Sequence, residues 1–403
     1  MNRNTKTNRI LTYALVAAGV LQIAARSVKA DFVFGTPENL GPAINSPMHD
    51  CDPGLSWDGL SLCFVRLPLD GSGDPEQWVA QRATPYDAWG DPVSLGPWVG
   101  SAAGTVTLFN AVVEAMGGGV PGWDPVDDLE AYFAHSQLGG YGGIDLFVLK
   151  RETVDADFGP PENLGPNVNT PNNEIRGTIS PDGLTLYFSS FGRPEGYGRS
   201  DLYVTTRATR SDPWGIATNL GPTVNSPSWD IWPIMSPDGL WLFFTSGRPD
   251  GLGEADIWMT RRASPSDPWG QAVNLGPTVN TSADDQSPHI SRDGSTLYFE
   301  SKRPDGYGGV DLYQVPILPI VDFNGDGKVN RLDAGLLMVN WGTDNSLYDI
   351  GPTAFGDGIV DSKDLMVLAE NGAMLCGDVN YDGVVDFFDL AEVAKNWLQD
   401  NNP

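Results

Sequence analysis

Two stretches near the C-terminus carry oxygen ligands at the spacing a hard divalent cation requires. In the first, Asp322, Asn324, Asp326, Asn330 and Asp333 stand at positions 1, 3, 5, 9 and 12 of a loop, with Gly327 at position 6. Asp378, Asn380, Asp382, Asp386 and Asp389 repeat that spacing around Gly383. Calcium takes about six to eight oxygens, and the glycine permits the sharp turn that wraps the ion. The seventh residues, Lys328 and Val384, stand where such loops lend a backbone carbonyl. A middle copy keeps Asp357, Asp361 and Asp364 but has Thr353 and Phe355 where ligands belong; Asp349 is placed to supply its first ligand through a longer loop. Short apolar helices are expected after the first and third loops, at 336–341 and 390–398. Ca2+ is therefore the expected cofactor, and the ligand count outweighs the alternative of solvated acidic turns.

A second set of acids recurs upstream. Asp50, Glu174, Asp230 and Asp285 each lie eight residues before a turn aspartate, at Asp58, Asp182, Asp238 and Asp293. If each precedes an innermost strand, the four carboxylates converge near one mouth of a channel, as candidates for cation binding, sugar binding or acid/base work. Their repetition favours a different role, capping backbone amides in every unit. Two residues on, the same strand face carries Asp52, Arg176, Trp232 and Ser287. Arg176, Trp229 and Trp232 are the candidate ligand-binding residues, the indoles as stacking platforms for sugar rings. His49, His135 and His289 form no recognisable Ser-His-Asp set, and no phosphate-cradling loop occurs.

These residues sit on a repeat. Asn-Leu-Gly-Pro begins at Asn39, Asn163, Asn219 and Asn274, with Ser94-Leu95-Gly96-Pro97 as a fifth copy, and the steps are 55, 69, 56 and 55 residues. A period of that size means a propeller or solenoid. Each unit holds an Asp-Gly hairpin signal, a strand such as Leu184-Thr185-Leu186-Tyr187-Phe188, a Gly-rich turn, a third strand ending near Tyr203, Trp258 or Tyr313, and a Trp-Gly pair at Trp89, Trp214 or Trp269 before a fourth. The second unit departs, with Asp127-Asp128 at the turn, Gly119 at the acid position and a longer upstream stretch. The pattern predicts an all-β, five-bladed propeller over 31–318. Asp31-Phe32-Val33-Phe34-Gly35 reads as the fourth strand that completes the last blade.

Ser180-Pro181-Asp182-Gly183, Ser236-Pro237-Asp238-Gly239 and Ser291-Arg292-Asp293-Gly294, each followed by a Tyr/Phe-rich strand, resemble the WD-like propeller repeats of the TolB type. That resemblance implies fold rather than activity, and the five units differ from the six blades it would imply. The segment 319–403, with its loop-then-helix form and Asp at position 12, resembles the dockerin module. The resemblance implies a small calcium-loaded α-helical domain that plugs into a cohesin-like partner.

Charge and leader complete the expectations. The chain has 403 residues, 24 basic against 52 acidic, for a net charge of −28. Such a surface repels phosphate backbones and anionic lipid, which leaves cations and neutral polymers as partners and disfavours nucleic acid. Residues 1–30 hold Arg3, Lys6 and Arg9, an apolar run over 10–25, and Val28-Lys29-Ala30 before Asp31. They read as a secretory signal peptide on a bacterial, extracellular or cell-surface protein, with no membrane span in the mature chain. Cys51, Cys63 and Cys376 are too few for a disulfide framework; a hairpin at Asp58-Gly59 sets Gly54, not Cys51, opposite Cys63. The expected function is a secreted, non-enzymatic propeller that binds a glycan or protein and is organised by a calcium-dependent dockerin-like module in polysaccharide breakdown. The alternatives are a five-bladed glycoside hydrolase acting on plant-type polysaccharide, and a structural surface protein.

Overall fold

The computed structural model describes residues 32–56, 58–70, 75–97, 129–135, 138–153 and 156–371. The leader at 1–30, the stretch holding Gly119 and Asp127-Asp128, Cys376 and the third loop (Asp378, Asn380, Asp382, Val384, Asp386, Asp389) lie outside them.

The chain forms a five-bladed β-propeller of antiparallel sheets. Blade I is β3 (His49–Leu55), β4 (Ser61–Leu67), β5 (Glu76–Gln81) and β6 (Val93–Pro97). Blade II is described as β7 (Glu130–His135), β8 (Asp145–Lys150) and β9 (Glu162–Asn163). Blade III is β10 (Glu174–Ile179), β11 (Thr185–Phe191), β12 (Ser200–Thr206) and β13 (Thr218–Asn219). Blade IV is β14 (Asp230–Met235), β15 (Trp241–Ser246), β16 (Asp256–Arg261) and β17 (Val273–Asn274). Blade V is β18 (Asp285–Ile290), β19 (Thr296–Ser301) and β20 (Asp311–Pro319), completed by the N-terminal β1 (Phe32–Phe34) and β2 (Glu38–Asn39).

Closure by the N-terminus holds, with a refinement of the segment expected. Glu38 and Asn39 oppose Gln314 and Tyr313, the register in which Thr218 and Asn219 oppose Val204 and Tyr203 in blade III, so β2 takes the fourth-strand place. Residues 32–34 pair further out, with Ile317, Leu318 and Pro319. The closing strand is thus split in two along an unusually long β20.

The repeated asparagine explains why the motif recurs. Asn39 Nδ2 donates to Asp311 Oδ2 (3.0 Å), and Asn39 Oδ1 accepts from Gly41 N and from Asn45 Nδ2 (both 2.8 Å). Asn45 also bonds both backbone groups of Leu312. Asn163, Asn219 and Asn274 make the same latch to Asp145, Asp201 and Asp256. Each Asx turn needs the following Gly at positive φ, 79° at Gly41. In blade V the latch joins residues 272 apart and so holds the ring shut.

Between blades, Trp214 packs edge-on to Tyr132 and Trp269 to Tyr187 of the preceding blade, while Arg207 and Arg262 lie over those indoles at 4.5 and 4.6 Å. Cys63 faces Gly54 and Cys51 faces Val65, so both described cysteines are free; burial pushes both thiols far up.

After β20 come two helices, α1 (Arg331–Val339) and α2 (Ser362–Glu370), each opened by a capping box: Asn330 with Asp333, and Asp361 with Asp364. Leu337, Ile350, Val360, Leu365 and Leu368 form their shared core. Phe355, in the loop before α2, leaves that core for the propeller's and sits edge-on to Phe32 of the closing strand at 5.1 Å. Among the described residues no helix is long and apolar enough to cross a membrane.

Candidate functional site

The acids Asp50, Glu174, Asp230 and Asp285 open the inner strands β3, β10, β14 and β18, and all four are 0% exposed. Each carboxylate accepts from the backbone N–H and the hydroxyl of a residue four positions earlier: Ser46, Thr170, Ser226 and Thr281. Each also meets an arginine: Arg66 (2.6 Å), Arg193 (3.1 Å), Arg248 (2.6 Å) and Arg303 (2.6 Å). A buried charge persists only when it is paired and hydrogen-bonded, and these are both. Their oxygens face the loop that enters their own blade, not an open cleft.

Two residues on, the backbone repeats but the side chains do not. Asp52, Arg176, Trp232 and Ser287 adopt φ of 54°, 40°, 58° and 55°, in a region non-glycine residues rarely visit. Each sits at a β-bulge, where the register slips between Cys51 and Gly54, Ile175 and Gly177, Ile231 and Ile234, or Gln286 and His289. The bulge turns the N–H across the seam to the preceding blade. Trp232 N donates to Ser189 Oγ (2.9 Å), Ser287 N to Thr245 Oγ1 (3.0 Å) and Asp52 N to Glu300 Oε2 (2.6 Å).

The four side chains are then brought together from four blades. Arg176 Nη1 donates to Asp52 Oδ1 at 2.9 Å, and Ser287 Oγ donates to the same oxygen at 3.2 Å. The Arg176 guanidinium lies 5.8 Å from the Trp232 ring centre. Asp52 keeps 35% of its side chain exposed and Arg176 11%, so the pair reaches solvent through the acid. An acid, a base, a hydroxyl and an indole at the equivalent position of four blades form a polar, aromatic-edged site.

Glu300 is the residue that sequence reasoning missed. It stands on β19 where β11 has Ser189 and β15 has Thr245, and that break in a Tyr/Phe-Phe-x-Ser repeat was the available signal. Its carboxyl is buried, accepting from Asp52 N and from Gln286 Nε2 (2.7 Å). Burial first, then the neighbouring Asp52 charge, raises it to about 7, against the pull of Arg176. His289 accepts from Leu55 N with Nε2 (3.1 Å), and burial lowers its pKa to about 3, so it is a neutral acceptor stitching blade V to blade I.

The two candidate indoles meet different partners. Trp232 joins the site, whereas Trp229 packs against Gly247, where a Cβ would run into its indole.

In the first C-terminal loop Asp322 accepts from Gly325, Asp326 and Gly327 N–H, Asn324 and Asp326 bond one another, and Asn330 Nδ2 donates to the Lys328 carbonyl. Asp333 is buried and accepts from Phe323, Asn324 and Asn330 N–H. In the middle loop Asp349 takes the place of Asp322, accepting from Asp357 and Gly358 N–H, while Asp364 accepts from Ile350, Gly351 and Asp361. Asp357 pairs with Lys363. The donor chemistry, hard oxygens throughout, fits calcium. The carboxylates are turned to loop amides, and among the described residues no three His, Cys, Asp or Glu groups converge as a metal site.

No family model matches the sequence, and neither does any curated protein. Among solved structures, the chain is similar to TolB from Acinetobacter baumannii (14% identity, TM-score 0.39), with 67% of this chain covered and 54% of that one, so it spans about half of that protein's length. It is also similar to the catalytic domain of a GH62 alpha-L-arabinofuranosidase from Coprinopsis cinerea (10% identity, 72% and 98% covered, TM-score 0.44). A third likeness is an alpha-L-arabinofuranosidase from Lactobacillus brevis (15% identity, 70% and 93% covered, TM-score 0.43).

Proposed function

We propose that the chain is a secreted, non-enzymatic propeller that binds a glycan in extracellular polysaccharide utilisation and is organised by a calcium-binding, dockerin-like C-terminal module. One observation carries the binding reading. Asp52, the partly exposed acid of the inner ring, is clamped by Arg176 and Ser287, while the neighbouring Glu300 is sealed beneath its backbone. Glycoside hydrolysis needs two carboxyl groups facing an open gap across the scissile bond. Such a pair is not offered by Asp52 and Glu300, whereas a hydroxyl-bearing ligand finds an acceptor, a donor and an indole edge. In the first loop Asp322, Asn324, Asp326, Asn330 and Asp333 with the Lys328 carbonyl would hold calcium, which neutralises their mutual repulsion and would favour α1 and α2 packing.

The hydrolase reading keeps one supporting feature, the buried Glu300 carboxyl, raised to about 7 by burial and by the neighbouring Asp52. A glycan array combined with a reducing-sugar assay separates the two: binding without sugar release is expected, and release that disappears in Glu300→Gln would install the hydrolase instead. For the module, calorimetry with calcium and with chelator should show a calcium-dependent transition, abolished by Asp322→Ala with Asp378→Ala. Superimposable curves would leave the loops as acidic turns.

A further inference from the structure

The turns that join the second to the third strand of each blade lie on the same face as the start of the inner strands, because Asp285 pairs with Ser301 and Asp230 with Ser246. In blades II, III and V they present Tyr141, Tyr197 and Tyr307, exposed to 49%, 50% and 50%. Leu252 fills the same slot in blade IV at 48%. All four are held through their own main chain: the side-chain carboxylate of the aspartate at the start of the third strand (Asp145, Asp201, Asp256 or Asp311) accepts from their N–H and from the next glycine's. That glycine is wedged under the loop entering the following blade; a Cβ on Gly198 would collide with the Ser226 and Ser228 carbonyls, and one on Gly308 with those of Ser46 and Met48. Every slot is therefore rigid and sits on a blade seam.

Because Leu252 fits the slot with the same clamp, the fold does not require a phenol ring there. Three rings nonetheless stand half-exposed on fixed backbone on one face. Flat, uncharged aromatic faces match the C–H faces of sugar rings. A net charge of −28 turns away polyanions and leaves neutral polymers. Three like platforms on one face fit a ligand that itself repeats.

We propose that Tyr141, Tyr197 and Tyr307 form a trivalent stacking platform for a neutral polysaccharide, separate from the central Asp52–Arg176 site. This rests on the glycan-binding function above and deepens it by naming where a polymer, rather than a chain end, is held. Multivalency makes a polymer bind more tightly than its own short oligosaccharides. The test uses the full chain with soluble arabinan and xylan and their tetrasaccharides, by affinity electrophoresis and calorimetry. Tyr→Leu is the variant of choice, since Leu252 shows that the slot accepts it. Each single change should weaken polymer binding by about three- to tenfold and the triple change by about 30-fold or more, with an unchanged melting temperature. Leu252→Tyr should strengthen it. If the parent binds neither polymer, the glycan function falls and this platform with it. If the parent binds and the triple Tyr→Leu variant binds equally well, the platform alone is overturned, and Arg176→Ala then tells whether the channel holds the ligand.

Discussion

The ring of acids and the ring two residues beyond it occupy the same inner strands, yet they are built on opposite rules. In the first, the side chain repeats: Asp50, Glu174, Asp230 and Asp285 all bond a Ser or Thr four residues back and an arginine. In the second only the backbone repeats, a bulge with positive φ, and the side chains are Asp52, Arg176, Trp232 and Ser287. A blade needs its own copy of every joint, so a joint recurs with the blade. A ligand sits once on the axis, so residues that meet it have no reason to be alike. On these inner strands sameness marks the scaffold, and difference on a common backbone marks the place available to a ligand that sits once; a ligand that repeats can meet repeated residues on the outer turns.

The largest effect that probes this contrast comes from the acid ring. Asp230→Ala leaves Arg248, itself buried, without its 2.6 Å partner. Breaking a buried pair costs about 3–5 kcal/mol, and thermal unfolding should register a loss of about 6 °C or more. A variant that melts like the parent but no longer binds ligand would reverse the roles of the two rings.

A smaller effect is expected where the rings touch, at Glu300. Its carboxyl is raised above the ordinary value, so between about 4.5 and 7 the native state holds a proton that the unfolded chain has lost. Stability from this group therefore falls as pH rises through that window and is level on either side. Glu300→Gln keeps an oxygen for Asp52 N–H and has no charge to bury, so its denaturation profile should lack that fall and lie above the parent by about 1–3 kcal/mol at pH 8. Parallel profiles for the two proteins would show that Glu300 is no more than another joint.

The smallest effect belongs to Ser287. Glycine at its φ of 55° relieves about 1 kcal/mol of left-handed strain, against the loss of one 3.2 Å bond to Asp52. Ser287→Gly should therefore change stability by less than about 1 kcal/mol. A loss above about 2 kcal/mol in urea titration would mean that side chains in the second ring also carry the fold.

The C-terminal loops extend the lesson. Phe355 replaces a ligand in the middle copy and sits edge-on to Phe32, so a position that departs from its repeat has become a contact between the helical segment and the closing strand. In sequence it is legible only as a missing oxygen. Where the phenyl goes depends on β1, more than 300 residues away.

The propeller, the five units and closure from the N-terminus are legible in the sequence because they follow from local signals: Asp-Gly turns, period-two strands and a repeated asparagine that bonds a second asparagine six residues on. The sequence also placed Arg176 and Trp232 on one face. Only closure of the ring brings Asp52, Arg176, Ser287 and Trp232 together, puts β2 rather than β1 in the fourth-strand register and sets Glu300 beneath Asp52. Those contacts join residues as distant in sequence as Glu38 and Gln314, or Asp52 and Glu300, across seams fixed only when the ring closes. Local chemistry specifies each blade, but which side chains share the axis depends on the order in which the closed circle sets the blades side by side.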